Sequence, residues 1–151
     1  MASLRKEILT NAPPEDAWAA IRDIGALHTR LVPGFVIDTQ LEPGARVVTF
    51  GNGMVIREPI IALDEIRRRL VWSAEGGRTT HYNASVQVLV DGEGKTKIVW
   101  IADFLPDGAA DDIGAAMDIG SAVMKKTLDR FAEQVHGARL GWKEEGVGKA
   151  P

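Results

Sequence analysis

Apolar and very small residues recur at Ile113, Met117, Gly120, Ser121, Met124, Leu128, Phe131 and Val135, a three-or-four spacing that draws one stripe along a helix. The positions between them carry Asp111, Asp112, Asp118, Lys125, Lys126, Asp129, Arg130 and Glu133, so the opposite face meets water. The pattern predicts a single long helix over Ala109–His136, about 42 Å at 1.5 Å per residue. Asp107, Asp111 and Asp112 sit where a helix N-terminus favours negative charge. Gly137 is placed just past the C-terminus, and His136 supplies a favourable positive end. Gly120 and Ser121, in mid-stripe, are expected to leave a gap between this helix and whatever it packs against, opposite Trp72, Tyr82 and Ala84.

Upstream the period changes from helix to strand. Leu4–Thr10 reads as a first strand, broken by Asn11-Ala12-Pro13-Pro14. Prolines fit a helix start because that turn has no hydrogen bond to lose. Glu15–Arg22 is then a short helix with Ala17, Trp18 and Ile21 on one face, and a second short helix carries Leu27 and Leu31. Six strands follow at Phe35–Leu41, Arg46–Phe50, Val55–Leu63, Leu70–Glu75, Tyr82–Val90 and Lys97–Leu105, each closed by turn residues such as Gly51-Asn52-Gly53 and Gly76-Gly77. Short hairpin links favour antiparallel pairing, so the fold class is α+β: a meandering sheet that grips a long helix. The domain is set at residues 1–136. The remainder, 137–151, is read as a flexible tail in which Leu140 and Trp142 could dock.

Composition narrows the classes of function. The 151 residues carry a net charge of −3, which leaves no electrostatic footprint for nucleic acid. Arg67-Arg68-Arg69 follows Asp64-Glu65 at a turn and reads as a solvated strand start. With no cysteine there is no thiol chemistry, and no segment is apolar enough to span or enter a membrane or to act as a signal peptide. A cytoplasmic monomer or homodimer is expected. His28, His81 and His136 are far apart with no i, i+4 pair, so neither a metal site nor a cofactor is expected.

Several motifs, in order, resemble the START-like (SRPBCC) superfamily and, within it, bacterial polyketide cyclase/dehydrase-type proteins. Ala12-Pro13-Pro14-Glu15-Asp16-Ala17-Trp18 resembles the opening of the family's first small helix, and Arg22–Leu27 its continuation. Pro33-Gly34, Arg57-Glu58 through Leu63-Asp64 with Arg68, Tyr82, and Trp100–Gly108 match later landmarks. One departure is Leu31-Val32, where the family often has an aromatic residue before the proline. The resemblance implies a helix-grip fold enclosing an apolar cavity, with the 51–53 turn over its mouth as a gate. It does not imply a reaction, because relatives include lipid carriers, hormone receptors and aromatase/cyclases.

Strand alternation suggests what lines such a cavity. Trp72 shares a face with Leu70 and Ala74, Tyr82 with Ala84, Val86 and Val88, and Trp100 with Ile98, Ala102 and Phe104. The 55–63 strand is ambiguous by periodicity, with Ile56, Glu58, Ile60 and Ala62 on one face and Arg57 on the other. The resemblance places Glu58 inward. There, burial would raise its pKa, unless Arg57, Arg46 or Arg78 pairs with it. Arg46 is left facing either side. Candidate ligand-binding residues are therefore Glu58, Ile60, Trp72, Tyr82, Ala84, Trp100, Met117, Gly120, Ser121 and Met124, with Leu128 as a further wall residue. Candidate acid/base groups are Glu58, Tyr82 and His28, with Arg57 assisting. Three functions follow in order: binding of a small hydrophobic molecule such as a lipid or polyketide-like metabolite, a cyclase or dehydratase acting on a poly-β-ketone, and a protein-interaction module with a vestigial cavity. Ser85, Thr79 and Thr80 have no histidine at a recognisable spacing, so covalent catalysis is not expected.

Overall fold

A computed structural model describes residues 1–148, with side chains through Val135. The strands are β1 (Ala2–Thr10), β2 (Val36–Glu42), β3 (Ala45–Phe50), β4 (Val55–Asp64), β5 (Arg69–Ser73), β6 (His81–Val90) and β7 (Thr96–Leu105). They form one curved antiparallel sheet in the order β1-β7-β6-β5-β4-β3-β2. Hairpins make β2 to β7 a meander, and β1 closes it by pairing with β7 in a register that matches Ile8 with Ile98 and Leu4 with Ala102. Between β1 and β2 lie α1 (Pro14–Arg22), a 3-10 turn (Ile24–Ala26) and a π-helical turn (Leu27–Leu31). The last element is α2 (Ala110–Gly148). This is the α+β helix-grip architecture.

Alternation along the strands sorts the two sheet faces. Leu70, Trp72, Ala84, Val86, Val88, Ile98, Trp100, Ala102 and Phe104 are buried on the inner side, where Met117, Met124 and Leu128 of α2 meet them. The other end of the grip is closed by hydrogen bonds. Asp129 of α2 accepts from the Thr10 hydroxyl at 2.6 Å and the Asn11 N–H at 2.8 Å. Lys125 donates to the Leu9 carbonyl at 2.8 Å and to Asp129 at 3.0 Å. These bonds fix the Lys125–Asp129 turn of α2 against the end of the edge strand. At the same end α1 is tied to the β4–β5 turn, where Glu65 accepts from the Trp18 indole N–H at 3.0 Å and from Arg22 at 2.6 Å.

Three boundaries differ from the sequence pattern. The helix does not stop at His136 but runs on through Gly137 to Gly148. Gly137 is absent from the glycines with positive φ, so it forms no C-terminal cap, and a glycine inside a helix costs only about 1 kcal/mol. The side chains of His136, Leu140 and Trp142 lie outside the described residues. β5 ends at Ser73 rather than Glu75, although Glu75 still makes an isolated antiparallel bridge with Arg57 of β4. The turn carrying Leu27 and Leu31 is π-helical, with the Val32 N–H donating to the Leu27 carbonyl at 3.0 Å.

Candidate functional site

The inner face of the sheet and α2 do not close completely. A cavity of about 790 Å³ lies between them, within the range of sites that enclose small molecules (about 300–1,000 Å³). Each strand from β3 to β7 contributes residues from its inner face: Arg46 and Phe50, Ile56 and Glu58, Leu70 and Trp72, Tyr82 and Val86, then Trp100. Ile113, Met117, Val123 and Met124 of α2 form the opposite wall, and Leu27, Leu31 and Val32 close one side.

The mouth lies among the Pro33–Phe35 loop, the Gly51–Met54 turn, the Gly76–Thr79 loop and the first turns of α2. Two of these loops are strapped together. The Gly51 N–H donates to the Phe35 carbonyl at 2.9 Å, and the Phe35 and Phe50 rings meet edge to face with centroids 5.5 Å apart. The third loop is joined to α2 by an exposed ion pair, Arg78–Asp112.

The polar centre of the cavity follows from strand register. β3 and β4 are a hairpin about Gly51-Asn52-Gly53, so Arg46 and Glu58, each six residues from Asn52, are direct cross-strand partners. Arg46 Nε donates to Glu58 Oε1 at 2.8 Å, with the two side chains 3% and 9% exposed. Arg46 also reaches the Ile24 carbonyl at 3.4 Å, and its guanidinium lies 5.5 Å from the centre of the Trp72 ring, a cation–π arrangement. Burial pushes the Glu58 carboxyl above the usual carboxylate range. The charge and hydrogen bond of Arg46 oppose this, and so does the Trp72 indole N–H. That N–H leans toward the carboxylate without meeting hydrogen-bond geometry, since Trp72 Nε1 is buried with no partner among the described residues.

Tyr82 stacks on Phe104 with ring centroids 6.4 Å apart. Burial first, and the Glu58 charge second, hold its phenol well above its ordinary pKa. It therefore stays a neutral hydroxyl able to donate and accept.

Six of the residues expected from the sequence share this one cavity: Glu58, Trp72, Tyr82, Trp100, Met117 and Met124. Four do not line it. Gly120 marks close packing instead of a gap, because a Cβ there would lie 3.0 Å from the Trp100 ring and 3.1 Å from Phe35. These rings occupy the space expected to be empty, and they, not Trp72, Tyr82 and Ala84, stand opposite the glycine. Ser121 is half-buried with its hydroxyl unpartnered among the described residues. Ala84 is sealed under its neighbours at 1% exposure. Ile60 keeps the inner face, paired with Trp72 across β4 and β5 just before a bulge, but it packs against the core and does not line the cavity.

Other candidates are also elsewhere. His28 is not on the cavity wall, and its Nδ1 lies 3.1 Å from the Thr39 hydroxyl. Arg57 faces outward to Glu42 at 2.8 Å and Glu75 at 3.1 Å, and Leu128 is ordinary core. His81 is exposed at the start of β6. Among the described residues no three His, Asp or Glu side chains gather as metal ligands would, and no helix is long and apolar enough to cross a membrane. The sequence reading missed Phe35, Phe50 and Met54, and left Arg46 undecided. The spacing of Arg46 and Glu58 about the turn was the available signal for that pair.

Comparison with known proteins bears on this geometry. A family model described as polyketide cyclase/dehydrase and lipid transport matches residues 1–136. Solved structures of similar fold include a protein from Thermobifida fusca (26% identity, TM-score 0.73, covering 89% of this chain and 95% of that one). The protein XoxI from Bacillus cereus aligns with TM-score 0.74 at 19% identity, covering 90% and 99% of the two chains. A START superfamily protein from Mycobacterium smegmatis aligns with TM-score 0.67 at 13% identity over 88% and 98%. No curated protein matches the chain. The fold is one that binds hydrophobic ligands.

Proposed function

This chain belongs to the polyketide cyclase/dehydrase and lipid transport family, and on that premise we propose that it binds a small hydrophobic molecule, a lipid or a polyketide-like metabolite, inside the cavity. The observation that carries this reading is an apolar enclosure of about 790 Å³ containing one buried ion pair. Trp72, Trp100, Met117 and Met124 supply walls, with methionines that adapt to ligand shape. Tyr82 and the Arg46–Glu58 pair supply polar anchors. The open volume weighs against a vestigial cavity in an interaction module.

A cyclase or dehydratase is the second reading. It is favoured by Glu58, with its pKa raised, and Tyr82 facing the same space, as general acid–base chemistry requires. The Arg46 bond, which holds the carboxylate as a fixed anchor, argues for binding first.

The test is uptake of the neutral apolar dye Nile red. Wild type is expected to bind it in a saturable way. Ala116→Phe, which projects a ring from the cavity wall on α2, should weaken binding by at least about tenfold, equivalent to about 1.4 kcal/mol. Absence of uptake by wild type overturns the binding reading. Turnover of poly-β-ketone analogues that is lost in Glu58→Gln moves the enzyme reading ahead of it.

A further inference from the structure

Among the described residues four charged ones line the cavity: Arg46, Glu58, Arg78 and Asp112. They are two pairs. Arg46 and Glu58 bond to each other in the interior, and Arg78 bonds to Asp112 at the mouth. Each charge that a ligand could meet already has its counter-charge from the protein. Among the described residues neither lysine nor histidine lines the space, so none of their cationic side chains is left over to receive an anion. The remaining polar groups facing inward are neutral, chiefly the Tyr82 hydroxyl inside and Thr79 near the mouth.

An ionised ligand entering such a space gives up its hydration and finds no unpaired partner, which is the costly case for a buried charge. A carboxylate that reached the remaining N–H groups of Arg46 would share that single charge with Glu58, leaving two desolvated anions on one cation. A hydroxyl, ester or ketone pays little, since Tyr82 can donate to it or accept from it. We infer that the cavity selects uncharged amphiphiles, molecules with an apolar body and a neutral oxygen function, and rejects fatty acids and other organic anions because Glu58 already occupies the place of the anion beside Arg46. This rests on the binding function proposed above and names its ligand class.

The experiment displaces bound Nile red with lauryl alcohol, methyl laurate and laurate at about pH 8, where the free acid is ionised. Wild type is expected to bind the alcohol and the ester at least about tenfold more tightly than laurate. Glu58→Gln, which leaves the Arg46 charge without its anion, should narrow or reverse that preference by admitting laurate. If wild type takes up the dye but laurate competes as well as the alcohol, the inference is overturned while the binding function stands. If wild type takes up no dye, the binding function itself fails. If Glu58→Gln folds and still rejects laurate, the role given to Glu58 is overturned. Should that variant not fold, the wild-type comparison decides alone.

Discussion

Two carboxylates hold the two ends of this molecule in opposite ways. Asp129, at the closed end, receives three donors: the Thr10 hydroxyl, the Asn11 N–H and Lys125. Its burial is outweighed by those bonds, which hold its carboxyl below the ordinary value. Glu58, at the cavity end, has the Arg46 guanidinium as its one hydrogen-bonded partner among the described residues, and burial wins, raising it. A carboxylate saturated with donors is a rivet. One with a single partner beside an empty volume keeps acceptor capacity, and the neighbouring Trp72 N–H is left unpartnered. On the binding function proposed above, the same functional group serves rigidity at one end and recognition at the other, and the number of donors distinguishes the two roles.

The largest effect should come from breaking the cavity pair on one side only. Arg46→Met leaves Glu58 buried without its counter-charge and removes the contact with Trp72. The expected cost is about 3–5 kcal/mol of stability, measured by urea unfolding. Replacing both Arg46 and Glu58 with methionine should return stability to within about 1 kcal/mol of wild type, as a hydrophobic pair in the same place no longer needs desolvated charges.

Asp129→Ala should cost less, about 2 kcal/mol, because its side chain is 20% exposed and water can reach part of the site. Unlike the cavity variants it should leave Nile red uptake unchanged. Loss of uptake would show that the two ends are coupled. Gly120→Ala comes next, at about 1 kcal/mol: a Cβ pressed against Trp100 and Phe35 is opposed by the better helix propensity of alanine. Its melting temperature measures the balance, and an increase would mean that the rings have room to move.

The subtlest test is titration of the two carboxyls by NMR. Asp129 should titrate below the unfolded aspartate value of about 3.9, so its stabilisation is present above that value and lost as pH falls through the folded pKa. Glu58 has the reverse sign. Its folded pKa is raised, so its contribution is present below the unfolded glutamate value of about 4.3 and lost as pH rises through the folded one. If both carboxyls titrate on the same side of their reference values, the contrast between rivet and recognition group is wrong.

Much of the fold was legible because strand alternation and the helix stripe are direct records of burial. Tyr82–Val90 and Ile98–Phe104 show their inner faces without ambiguity, and Trp72, Trp100, Met117 and Met124 could be placed from period alone. What failed were inferences about space. A small residue in a stripe marks either a void or a close approach, and only the rings of Phe35 and Trp100 decide for Gly120. Ile60 was given the right face, opposite Trp72, but alternation does not say which inner-face residues meet open space and which meet the core. His28 depends on a π-helical turn, whose extra residue per turn rotates the ring toward Thr39. The Arg46–Glu58 pair was within reach, but it required committing to the hairpin register about Asn52 before facing could be assigned.

The strap between the two mouth loops has a consequence for redesign. A Cβ on Gly51 would stand 2.5 Å from the Gly34 carbonyl oxygen, so no side chain can be accepted there unless the loops part. Pro33 and Asn52 are both exposed beside it, and of the two Asn52 holds the turn, its Oδ1 accepting from the Met54 N–H at 3.0 Å. Anyone retailoring this protein for a different cargo has a doorway with one fixed post, Gly51, beside exposed panels. Libraries should vary residues 33 and 54, limit residue 52 to side chains that can accept the same bond, and keep residue 51 as glycine.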